Sequence, residues 1–186
     1  MPFYSGRPNT TNAVGPNVAP RVPPGQSVTT KWPVLTYGET PRFDPRTWTF
    51  RCFGLVDDEV SWTWDEFLRL PMTEITCDIH CVTRWSRLDN RFEGVPIREI
   101  IARVRPRSEA KYVLVHADPG YTTNVPLDEL TDDDVLLAVK HDGKPLEPEH
   151  GGPLCLVVPK LYRYSDGETR AMQQMRAEAA RKLRAP

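Results

Sequence analysis

Apolar and polar positions alternate along residues 72–82 (MTEITCDIHCV) with the two-residue period of a strand. That period puts Cys77, Ile79 and Cys81 on one face and Asp78, His80 and Val82 on the other. Residues 48–56 (WTFRCFGLV), rich in aromatic and β-branched side chains, predict another strand. Further strands are predicted over 111–117, 135–141 and 154–158. Helical spacing shows where Ile97, Ile100, Ile101 and Val104 follow Pro96, a residue suited to a first turn. Thr63-Trp64-Asp65-Glu66 has the form of a capping box that opens a short helix ending before Pro71. Residues 125–130 predict a short helical turn. Asp118-Pro119-Gly120 and Asp142-Gly143 are turn signals, the second suited to a hairpin. After Cys81, the crowding of Arg84, Arg87, Asp89 and Asn90 predicts a polar loop running to Val95-Pro96. Strands alternating with short helices, amid frequent hairpin turns, give an α+β domain with a mixed or antiparallel sheet.

The ends of the chain have a different pattern. Residues 1–33 are rich in Pro, Gly, Asn and Thr, and Pro16, Pro20, Pro23 and Pro24 read as an extended arm. Residues 34–162 form the domain. Residues 163–186 read as a polar helical tail, on which Met172, Met175, Ala179 and Leu183 make a thin apolar stripe. With 186 residues, 39% hydrophobic and 26% charged, the chain is expected to be one globular domain with a real core. A formal net charge of -1 provides no basic field for nucleic acid. No apolar run approaches the roughly eighteen residues of a membrane span. The N-terminus shows neither an apolar signal core nor a twin arginine, and four cysteines are few for a disulfide scaffold, so a cytoplasmic, reducing location is expected.

Candidate chemistry centres on the thiols. On a strand, Cys77 and Cys81 lie about 13 Å apart by strand rise, too far to share one metal. His116, His141 and His150 are isolated, so a paired zinc site is not built, and an iron–sulfur cluster lacks cysteines. A single cysteine is ordinarily a small buried hydrophobe. A thiol hydrolase at Cys81 would need a histidine brought in by folding, since His80 points to the opposite strand face. The turn His150-Gly151-Gly152-Pro153 would let backbone approach a ligand or simply precede a strand. Tyr121-Thr122-Thr123-Asn124 offers hydroxyls and an amide in a row.

Taken together, several stretches resemble the sulfite oxidase-like, molybdopterin-dependent oxidoreductases. They are WPVLTYG (32–38), TWTFRCFGLV (47–56), DIHCVTRWSRLDNRFEGVPI (78–97), GYTTNVPL (120–127) and DVLLAVKHDGKPLEPEHGGPL (134–154). They occur in family order and span residues 32–162. The resemblance implies a mixed α+β fold around a molybdenum–molybdopterin cofactor, with Cys81 as the protein thiolate on the metal. It also implies that His150, Tyr37 and Asn124 contact the pterin or line its pocket. The implied reaction is a two-electron oxygen-atom transfer on a small oxyanion (sulfite-type) or sulfoxide substrate, with a separate electron-transfer partner. Arg84 and Arg87 would suit an oxyanion, or would pair with Asp89 or Glu93. Two departures stand out. Cys155 occupies a position where the family typically has an arginine for the pterin phosphate, and the sequence diverges after Val158-Pro159-Lys160-Leu161-Tyr162. Losing two charge-assisted contacts, at about 1.5–3 kcal/mol each, lowers affinity by about two to four decades. The alternative expectation is therefore a degenerate, non-catalytic relative without stable cofactor.

Overall fold

The computed structural model describes residues 21–34, 39–118 and 120–162. In chain order these form β1 (Ser27–Val28), β2 (Thr49–Cys52), β3 (Val60–Thr63), α1 (Trp64–Phe67), β4 (Thr73–Cys81) and β5 (Trp85–Pro96). They continue with α2 (Ile97–Val104), β6 (Tyr112–Ala117), β7 (Tyr121–Pro126), β8 (Leu136–His141), β9 (Lys144–Pro145), β10 (Cys155–Val157) and α3 (Pro159–Tyr162). Strands dominate and helices are short. β1 pairs parallel with β5, while β5–β8, β8–β10 and β8–β9 are antiparallel, so the α+β expectation with mixed pairing holds. The expected tail, 163–186, lies outside the described residues.

The chain divides into two compact units. The first takes the described residues up to Pro33, then Cys77–Asn90, then α3; the second takes 34–76 and Arg91–Val158. In the first unit the end of β4 folds back through residues 82–84 onto the start of β5, and β1 lies along β5 with Ser27 opposite Trp85 and Val28 opposite Ser86.

The second unit holds most of the apolar core. Leu136 to Val139 are buried at consecutive positions of β8, as a strand covered on both faces requires. Ile97, Ile100 and Val104 present one buried stripe of α2. Each such side chain contributes roughly 1.5–3 kcal/mol on burial. Trp48, Trp64, Phe50 and Phe67 meet edge to face at 5.0–5.8 Å, which centres a second cluster on the fully buried Phe67. The capping box is present: Thr63 Oγ1 accepts from the Glu66 N–H, and Glu66 accepts from the Thr63 N–H at 2.9 Å. Asp142 and Gly143 both take positive φ, 48° and 76°, in the tight turn that joins β8 to β9.

Three expectations change. The predicted polar loop after Cys81 is the twelve-residue strand β5. Its polar side chains are taken up by protein partners: Asn90 is fully buried and donates to the carbonyls of Cys77 and Arg87, and Ser86 donates to the Gln26 side chain. The strand predicted over 48–56 ends at Cys52, because Gly54 at φ 104° turns the chain and Val56 keeps only an isolated bridge to Pro106. The turn predicted over 125–130 starts at Leu127, since Val125 stays in β7 opposite Val113. Among the described residues, no helix is long and apolar enough to cross a membrane.

Candidate functional site

Cys81 ends β4 in the first unit, and its half-buried sulfur sits at a three-residue turn. The Arg84 N–H donates to the Cys81 carbonyl at 2.9 Å, and Arg84 adopts φ 69°. This is the three-residue hairpin in which a left-handed residue closes the loop. Such a loop makes Cys81 and Trp85 the closing pair. The neighbouring contact agrees, because His80 Nδ1 lies 2.9 Å from Ser86 Oγ, where the next opposed pair must fall. Directly opposed residues project from one face of a hairpin. Cys81 therefore shares a face with Trp85, and His80 shares the other with Ser86.

The sulfur has a local partner, Thr83 Oγ1 at 3.1 Å. Either atom of this contact can be the donor. The opposite face is wired to the N-terminal segment. Gln26 Nε2 donates to the Cys81 carbonyl at 3.3 Å, which leaves Gln26 Oε1 to accept from Ser86 Oγ at 2.6 Å. Ser86 has spent its one proton there, so its oxygen accepts from His80 Nδ1–H. Burial lowers the His80 pKa, with the Arg21 charge adding to the effect and Asp78 opposing it. The Ser27 N–H donates to the Arg84 carbonyl and the Thr29 N–H to the Ser86 carbonyl, at 3.1 and 2.9 Å.

Arg21 also grips the hairpin. Its Nε and Nη2 donate to both oxygens of Asp78 at 3.0 and 2.6 Å, and Nη2 reaches Asp89 Oδ1 at 2.6 Å. Burial works to raise the Asp78 carboxyl, but the Arg21 bonds, together with the Asp89 N–H, hold it below the usual carboxylate range. Arg87 donates to Asn90 and to the Thr30 carbonyl, Asp89 pairs with Arg21, and Glu93 pairs with Lys140 at 2.7 Å. The guanidinium of Arg84 has no hydrogen-bond or ion-pair partner among the described residues.

The other sequence candidates fall elsewhere. His150 and Asn124 belong to the second unit, and Tyr37 lies outside the described residues. Asn124 is exposed on β7 opposite Leu114, and half-buried His150 ends a helical turn over Pro148–His150. The glycines after it serve the chain itself. A Cβ on Gly152 would lie 2.2 Å from the Leu146 carbonyl oxygen, so this turn needs glycine for its own packing. Cys155 is half-buried, and burial pushes its thiol up to about 11. Gln26, Thr83, Trp85 and Ser86 escaped the sequence reading as site residues. Only the hydroxyl two positions after Cys81 was a direct signal.

The sequence profile of the oxidoreductase molybdopterin binding domain matches residues 37–167. The uncharacterized oxidoreductase YuiH of Bacillus subtilis strain 168 is 46% identical over 161 residues, which cover 86% of this chain and 79% of YuiH. The catalytic subunit MsrP of the protein-methionine-sulfoxide reductase of Xanthomonas axonopodis pv. citri is 33% identical over 133 residues. That match covers 63% of this chain but only 41% of MsrP. In fold, the chain is similar to the crystal structure of the sulfane dehydrogenase SoxCD from Paracoccus pantotrophus, with a TM-score of 0.61 at 22% identity. It spans 67% of this chain and 37% of the SoxCD chain.

Proposed function

This chain is an enzyme of the sulfite oxidase-like oxidoreductase molybdopterin binding domain family, and from that premise we propose that it uses a molybdenum–molybdopterin cofactor held through Cys81. The observation that carries the reading is the thiol at the hairpin tip, half-buried, beside the Thr83 hydroxyl and tied down through its own carbonyl. The donor set fits this group. Among the described residues no three His, Cys, Asp or Glu side chains gather as a metal cage, so a metal at Cys81 would take its other donors from a ligand it brings with it. A thiolate is the soft donor such a metal prefers. On the same face, the buried indole N–H of Trp85 has no acceptor among the described residues, so a polar ligand group there would be welcome.

When bound, the cofactor supplies two-electron oxygen-atom transfer, here on a sulfite- or sulfoxide-type substrate. The protein's part is to hold and orient. Cys81 ligates the metal, and the Thr83 hydroxyl donates to its sulfur. Gln26 and Arg21 keep the hairpin in one position. A separate protein or small molecule exchanges the electrons in this reading. The test is molybdenum per chain, measured by elemental analysis on protein from a cofactor-competent host beside Cys81→Ser. Near-stoichiometric metal in the wild type and little in the variant is expected. Equal metal in both would sink Cys81 as the ligand.

A second reading, a relative that keeps the fold and no longer holds the cofactor, draws on Cys155. Its thiol, pushed up to about 11, stays neutral at pH 7 and offers no cation to a phosphate. Folded wild-type protein without molybdenum would favour this reading.

A further inference from the structure

Trp85 is 7% exposed, and its Nε1–H is the one fully enclosed side-chain polar atom without a hydrogen-bond partner among the described residues. Native proteins seldom leave a buried donor bare; where they do, a ligand or ion that completes it is a frequent reason. Its place in the hairpin narrows the choice. The turn over residues 82–84 and the contact between His80 and Ser86 set the register, so Trp85 opposes Cys81 and shares its face. The hydroxyl of Ser86, the nearest polar side chain along the strand, is committed to Gln26 and His80 on the other face. The indole and the sulfur therefore project from the same face of the hairpin.

We infer that Trp85 is a binding residue of this site: its indole N–H donates to an acceptor atom of the group whose metal Cys81 ligates. The inference rests on the cofactor reading above and adds a second protein contact to it. A ring N–H is a donor only, so the matching atom is an oxygen, a ring nitrogen or a sulfur with a lone pair. The contact asks the atoms that enclose the N–H to move aside, but the indole ring itself is already packed in place. It thus favours the loaded state without a compensating loss of side-chain freedom.

The chain has five tryptophans, so labelled protein gives five indole N–H signals, and Trp85→Phe identifies the one of interest. Molybdenum-loaded and cofactor-free protein, both wild type, are compared by nuclear magnetic resonance with the loaded form oxidised and diamagnetic. The Trp85 signal is expected to move downfield on loading, further than the other four, and its exchange with solvent to slow. On dialysis, Trp85→Phe should release molybdenum about ten-fold faster than wild type. A stationary Trp85 signal in fully loaded protein overturns the inference and leaves the cofactor reading intact. So does a folded Trp85→Phe protein that retains metal as wild type does. Wild-type protein that takes up no molybdenum overturns both.

Discussion

Arg84 occupies a left-handed backbone position at φ 69°, where a side chain crowds the carbonyl and glycine does not. Arg84→Gly should relieve that crowding and leave the protein about 1 kcal/mol more stable, a rise of roughly 2–4 °C in a thermal melt. A lower melting temperature would show that the arginine side chain stabilises the turn more than its backbone strains it. Ser86 tells the opposite story, for it is fully buried and both ends of its hydroxyl are used. Ser86→Ala leaves the His80 Nδ1–H and Gln26 Oε1 without their Ser86 partner. It should cost about 1–3 kcal/mol in urea denaturation. A loss within error of zero would mean that water replaces the hydroxyl. At this scale the sequence disclosed the thiol and little of what surrounds it. Cys81 was singled out by the resemblance of the run around it, since strand alternation alone marks Cys77 equally. Gln26 could not be, since its partners lie 55 and 60 residues away and no local pattern records such a distance.

Elements were legible where local chemistry alone decides them. The box around α1 is four residues long and reads directly from Thr63 and Glu66. Thr63→Ala should accordingly cost about 1 kcal/mol in chemical denaturation, and an unchanged midpoint would show that the aromatic cluster alone holds α1. The Asp142-Gly143 turn is equally local. β5 was hidden because its polar side chains find partners on other segments, so its alternation of faces is not an alternation of hydropathy. Gly94 in that strand shows how tightly the pairing is drawn. A Cβ there would stand 2.0 Å from the Leu137 carbonyl oxygen, at the point where the register with β8 shifts. Gly94→Ala should destabilise by about 1–3 kcal/mol or prevent folding, and a wild-type melting curve would contradict the close approach.

For the molecule as a whole, the fold class and the family were legible because strand order and motif order agree along the chain. The division into two units was not, because it follows contacts between distant segments and not a break in composition. Acid stability belongs to this scale. The folded pKa of Asp78 lies below its unfolded value of about 3.9, so the folded state stabilises the charged form. That stability is complete above the unfolded value and is lost as pH falls through the folded one. Arg21→Ala should therefore lower stability at pH 7 and shrink its own effect below about pH 4, as read from urea midpoints across pH. An effect that persists unchanged in acid would assign Arg21 a packing role instead. The parallel seating of β1 against β5 also has a consequence in time. Residues 26–29 leave the ribosome long before residues 81–86, and they can close onto them only by bringing together segments some 55–60 positions apart. Pairing of this kind is slow compared with the closing of a hairpin. The turn that carries the thiol can thus close before its stay arrives, and refolding is expected to order residues 81–86 in two stages, the hairpin first and the N-terminal segment after it.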